Sequence, residues 1–158
     1  MKILIFCAAI LPLISTCSLT ACANEKDRDD GDTDVQNSAK GNIMHIQVGN
    51  VTLIATLAEN SSAEALKELL SSAPVTINMR DYGNFEKVGA LGATLPENNE
   101  RITTQPGDLI LYQGTNFVIY YAPNTWSLTR LGKINNVTQA QLKETLGEGN
   151  VTVTLSLP

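Results

Sequence analysis

The chain has 158 residues and a formal net charge of −5, from 11 Lys and Arg against 16 Asp and Glu. With no recurring basic cluster, this acidic balance argues against a nucleic-acid binder, whose affinity rests on phosphate neutralisation. One histidine, His45, and three cysteines, Cys7, Cys17 and Cys22, make no cluster with metal-ligand spacing, so neither a metal nor a cofactor is expected.

The first element is an export signal. Met1 and Lys2 precede the apolar run "ILIFCAAILPLI" and then small and polar residues, a run too short to span a bilayer and patterned as a signal peptide over residues 1–21. It ends in "LTAC", Leu19 to Cys22, which resembles a bacterial lipobox. That resemblance implies that Cys22 is acylated and becomes the mature N-terminus, with the lipid supplying the apolar transfer energy for membrane attachment. Cys7 and Cys17 then leave with the signal, so the mature domain has no disulfide and no thiol nucleophile. Residues 22–41, "CANEKDRDDGDTDVQNSAKG", lack apolar periodicity and read as a disordered acidic tether. The acids after the cysteine resemble surface-export signals of some envelope lipoproteins, and Ala23 is compatible with outer-membrane sorting. The expected location is the cell envelope, lipid-anchored at the outer membrane, on its periplasmic or surface face.

Residues 42–158 form the expected globular domain, long enough for a single core. "IMHIQVG" and "VTLIATLA" predict two strands joined at Gly49-Asn50 as a tight hairpin. "NSSAEALKELLSSA" predicts a helix in which Ser61 and Glu64 form a capping box and Ala65, Leu66, Leu69 and Leu70 make the apolar stripe. "VTINMR" is the next strand, and "MRDYGNFEKVG" reads as its end and the loop leaving it, bent at Gly83 and Gly89. "LILYQG" and "TNFVIYYA" predict a hairpin around Gln113-Gly114-Thr115, fed by the turn "PGD". "LTRLGKI" is a further strand, with Trp126 in the turn region before it. Thr138 and Gln141 cap a second helix, "QAQLKETLG", that ends at Gly147, and "NVTVTLSL" closes the chain as an alternating strand. The Asn-X-Thr triplets at Asn50, Asn136 and Asn150 read as turn and capping chemistry. Strands outnumber helices and most are hairpin-connected, so the expected class is mostly β: a closed antiparallel barrel with two helices, since closure removes exposed edges.

The stretches "DYGNFEKVGALGATLP", "PGDLILYQG" and "APNTWSLTRLGKI" together resemble the bacterial cyclophilin-like proteins, small barrels with two capping helices, many of them envelope lipoproteins. The resemblance spans essentially the whole domain. Compared with the signature of true cyclophilins, which are peptidyl-prolyl isomerases, Arg80 and Phe85 hold the first two spacings. Val88 stands in place of the glutamine, and no histidine matches the one near their pocket. The resemblance implies Arg80 as the electrostatic, catalytic group, with Phe85 and Trp126 as pocket walls. A guanidinium that hydrogen-bonds a twisting amide can stabilise loss of its resonance, and no covalent nucleophile is required.

Competing readings stay open for each residue. Phe85 and Tyr82 suit core plugs as well as ligand walls. Asp81 beside Arg80 invites a local pair that would neutralise the guanidinium, and Arg80 and Arg130 are also placed to pair with Asp81 or Glu86. Arg130 shares a strand face with Leu128 and is a second candidate if that face is the groove. Glu86 and Lys87 point to opposite faces in extended backbone, so one of the two faces any pocket. The sequence therefore supports a monomeric, membrane-anchored domain holding a peptide or small ligand between Arg80, Tyr82, Phe85, Glu86, Trp126 and Arg130. The alternative is a prolyl isomerase acting on exported chains.

Overall fold

A computed structural model describes residues 41–158. The expected signal peptide, Cys22 and the expected tether lie outside the described residues, apart from Gly41 at the end of the expected tether. Nine strands and two helices follow in the order β1 (Ile43–Val48), β2 (Val51–Leu57), α1 (Ser61–Ser72), β3 (Val75–Tyr82), β4 (Glu86–Ala90), β5 (Glu100–Thr103), β6 (Asp108–Tyr112), β7 (Asn116–Tyr120), β8 (Thr125–Ile134), α2 (Gln139–Leu146) and β9 (Val151–Ser156).

Every pairing is antiparallel. The ladder runs β2-β1-β9-β3-β4-β7-β6-β8, and a further pairing of β2 with β8 closes it into an eight-stranded barrel. Closure brings Thr56 opposite Lys133 and Leu57 opposite Gly132. Gly132 fits this seam because a methyl group there would overlap the Thr56 carbonyl oxygen. Strand β5 pairs only with the first half of β8 and stands off the barrel as an extra edge.

Strand alternation sorts the apolar residues into two clusters. The larger fills the barrel: Met44 and Ile46 of β1, Ile77 and Met79 of β3, Leu109 and Leu111 of β6, Phe117 and Ile119 of β7, and Val153 and Leu155 of β9 are buried there. Leu66 and Leu70 from α1 and Leu142 and Leu146 from α2 join the same cluster. The smaller lies on the other face of neighbouring strands: Ile110, Val118, Tyr120 and Leu128, with Phe85, Val88 and Ile102 packed against them. Strands β6 and β7 thus carry apolar residues on both faces, which is why "LILY" and "FVIYY" read as continuous runs.

The β1–β2 hairpin turns at Gly49 and Asn50, and α2 carries the expected capping box of Thr138 and Gln141 and ends at Gly147. Four local expectations are corrected. Asn60, not Ser61, caps α1: its side chain accepts the Ala63 N–H at 2.9 Å, while the Ser61 hydroxyl accepts a hydrogen bond from Asn98. The stretch "MRDYGNFEKVG" does not leave the sheet. Gly83 and Asn84 both take positive φ, the Phe85 N–H closes the turn on the Tyr82 carbonyl, and Glu86–Ala90 re-enters the sheet as β4. Strand β8 begins at Thr125, so Trp126 is on a strand, opposite Ile102. Strand β5 itself was not expected, since four residues with two charges carry little strand signal.

Candidate functional site

The β3–β4 hairpin carries the main side chains. Its register pairs Arg80 with Val88, Asp81 with Lys87 and Tyr82 with Glu86. Successive residues face opposite sides, so Arg80, Tyr82, Glu86 and Val88 share the outer face, and Asp81 and Lys87 share the other.

On that other face the charges are spent. Lys87, 1% exposed, donates to Asp81 Oδ2 at 2.8 Å and to the Gly147 and Gly149 carbonyls at 2.9 and 2.8 Å. The Tyr121 hydroxyl lies 2.9 Å from both Asp81 carboxylate oxygens. Burial pushes the Asp81 carboxyl up, but hydrogen bonds from Lys87 and Tyr121 and the lysine charge outweigh it and hold the carboxyl below its ordinary range. The Tyr121 hydroxyl is pushed well up by burial and by donating to this carboxylate. Lysine, aspartate and tyrosine thereby fasten the hairpin to the end of α2. The expected pairing of Asp81 with Arg80 does not form, because adjacent strand residues point apart and Lys87 takes the carboxylate. A paired-carboxylate site of Asp81 and Glu86 is ruled out by the same geometry.

On the outer face a groove of about 430 Å³ opens. Its floor is Val88, Val118 and Leu128, and its walls are Tyr82, Phe85, Tyr112, Tyr120 and Trp126, with Arg80, Glu86, Gln113, Asn116 and Asn124 supplying polar atoms. Tyr82 meets Phe85 edge-on at 6.0 Å between ring centroids, and Phe85 stacks on Tyr120 at 6.0 Å. Phe85 is held at the lip by the tight turn, where a side chain at Gly83 would collide with its ring. Trp126 is 58% and Tyr82 53% exposed, an unusual amount of aromatic surface to leave in water unless it serves contact.

Among the described residues Arg80 makes no ion pair; its guanidinium carbon lies 5.9 Å from the Tyr82 ring centroid. Glu86, opposite Tyr120 on β7, is buried and likewise has no cation beside it. Burial raises its carboxyl above the ordinary value, partly offset by the Tyr120 hydroxyl. That hydroxyl is itself pushed well up, by burial first and then by the glutamate, while Asn124 donates to it at 3.3 Å. A second, more polar hollow of about 390 Å³ adjoins at Arg80, Val88 and Asn116 and reaches Asn78, Asn150 and Thr152.

Of the residues expected at a site, Arg80, Tyr82, Phe85, Glu86 and Trp126 meet in this groove. Arg130 does not line it. Cross-strand pairs string Arg80, Val88, Val118, Ile110 and Arg130 into one row on the outer face. Arg130 therefore stands four strands from Arg80 around the barrel wall, about 19 Å measured along the sheet. It pairs with the buried Asp108 at 2.9 Å rather than with Asp81 or Glu86. Sequence reasoning missed Tyr112, Val118, Tyr120 and Leu128. Alternation within "NFVIYY" was the available signal for two of them, since Val118 and Tyr120 fall on one face.

A closed antiparallel barrel with an aromatic groove on its outer wall is the class that fold and site define. The chain belongs to the cyclophilin-like family, whose model matches residues 46–156. It is similar in structure to McbB, solved in complex with tryptophan, at 18% identity and a TM-score of 0.53 over 72% of this chain and 44% of McbB. It is also similar to the protein AF2241 from Archaeoglobus fulgidus, at 14% identity and a TM-score of 0.54 over 73% of this chain and 94% of that one. This chain thus spans less than half of McbB, and at these identities the likeness is one of fold. No curated protein sequence matches it.

Proposed function

We propose that the protein is a cyclophilin-like binding domain of the bacterial cell envelope, anchored through lipid on Cys22, acting as a monomer and holding a peptide or small ligand in the outer groove. The observation that carries this reading is the groove itself: exposed Trp126 and Tyr82, an apolar floor and an arginine without an ion pair among the described residues. Apolar walls with a few convergent polar groups are the usual make-up of a ligand site. That McbB was solved with tryptophan supports keeping small aromatic molecules among the ligands to be tried.

Prolyl isomerisation is the second reading, and the state of Arg80 favours it. Because Lys87 holds Asp81 on the opposite face, the guanidinium keeps its charge for a substrate amide. The full chain, offered a proline-containing peptide with and without Arg80→Ala, separates the cases. Binding without faster isomerisation supports the binding domain. Acceleration that Arg80→Ala abolishes supports the isomerase. No binding to the peptide or to small aromatic ligands sinks both.

A further inference from the structure

Two charges of opposite sign face the groove without meeting. Arg80 and Glu86 are diagonal neighbours across the β3–β4 ladder, a spacing of roughly 7 to 8 Å between backbone positions that long side chains can bridge. They form no ion pair. Arg80 leans over Tyr82, and Glu86 sits low beside Tyr120. A carboxylate withdrawn from water with no cation beside it is costly, and a ligand ammonium placed there would relieve that cost. At the other end, the guanidinium has no ion pair among the described residues and can offer its donors to a carboxylate. The surface between and around them is aromatic.

We infer that the groove takes an aromatic α-amino acid in its dipolar form, its ammonium on Glu86, its carboxylate on Arg80 and its ring among Tyr82, Phe85 and Trp126. This deepens the groove-binding reading and rests on it. The site is complementary at three points, and loss of either charge on the ligand leaves one protein charge unanswered. A neutral peptide segment offers amides in both places and answers neither charge fully. The volume of about 430 Å³ lies in the range of small-molecule sites.

Calorimetric titration of the full chain with L-tryptophan, N-acetyl-L-tryptophan, L-tryptophan amide and the doubly blocked N-acetyl-L-tryptophan amide tests this. L-Tryptophan should bind best, each singly blocked form should weaken about tenfold or more, and the doubly blocked form should be weakest. Glu86→Gln should erase the preference for the free amine, bringing tryptophan to the level of its N-acetyl form. Arg80→Ala should erase the preference for the free carboxylate. Equal binding of the four ligands would overturn the inference while leaving the groove as an apolar site. So would a proline peptide that binds while no tryptophan derivative does. Failure of every ligand, the peptide included, would overturn the groove reading as well.

Discussion

Folding shifts the Glu86 and Asp81 carboxyls in opposite directions, and the sign of each gives a separable outcome. Glu86 has its folded-state value raised by burial. Its contribution to stability is complete below the unfolded glutamate value of about 4.3 and is lost as pH rises through the folded value. Glu86→Gln should therefore raise the melting temperature at pH 7, with the gain shrinking toward pH 4. Asp81 has its folded-state value lowered by Lys87 and Tyr121 against the pull of desolvation. Its contribution is present above the unfolded aspartate value of about 3.9 and is lost as pH falls through the folded one. Asp81→Asn should cost about 3 kcal/mol at pH 7, because the ammonium of Lys87 stays buried without its anion, and the difference should close in acid. Urea denaturation of both variants between pH 3 and pH 7 measures this. A gain from Asp81→Asn at neutral pH would contradict the assigned roles. At this scale the sequence was partly legible. The expected Arg80–Asp81 pair overlooked that alternation along β3 turns the two side chains apart, and the lysine that claims Asp81 emerges only from the β3–β4 register.

Turns and caps explain why the elements stop where they do, and also where sequence signals mislead. Gly83-Asn84 and Gln113-Gly114 both have positive φ at each residue, and each turn takes one further residue, Phe85 or Thr115, before the strands pair again at Tyr82–Glu86 and Tyr112–Asn116. The first was read as a loop because Phe85, Glu86 and Lys87 lack simple apolar alternation. Their mixture arises because β4 buries a glutamate on one face and a lysine on the other. Likewise the serines after Asn60 imitate a cap, but their hydroxyls serve Asn98 in the loop before β5. Barrel closure depends on an element contact of a different kind, the approach of β8 to β2 at Gly132. Gly132→Ala should destabilise the fold by about 1 to 3 kcal/mol through overpacking of that seam. Chemical denaturation reads the loss, and an unchanged midpoint would mean that the strands part easily.

For the molecule as a whole, the groove's position follows from the barrel being covered on part of its outside. Strands β6 and β7 are apolar on both faces, and Ile102 of β5 lies over the outer cluster. The remaining outer surface, from Arg80 to Trp126, stays open and aromatic. A groove on an outer wall leaves the barrel interior free to be a rigid core, so the site can bind without opening the fold. If the domain is tethered as proposed, Cys22→Ser expressed in a bacterial host should move the chain from the membrane fraction to the soluble fraction. It should also abolish incorporation of labelled fatty acid. Persistence in the membrane fraction with no label would overturn anchoring at Cys22.

Local rules in the chain determined seven of the nine strands, both helices, the second helix's cap and the closed antiparallel class, and missed β4 and β5, because turn chemistry and periodicity act over a few residues. The resemblance to the cyclophilin signature, not any local rule, brought Arg80, Phe85 and Trp126 forward as candidates. Only the tertiary structure decided which of those side chains meet. Strand order placed β7 beside β4 and thereby set Tyr120 against Glu86, and the same order carried Arg130 out of reach to Asp108. Cross-strand neighbours far apart in sequence are fixed by the register of the closed sheet, and no local pattern encodes that register.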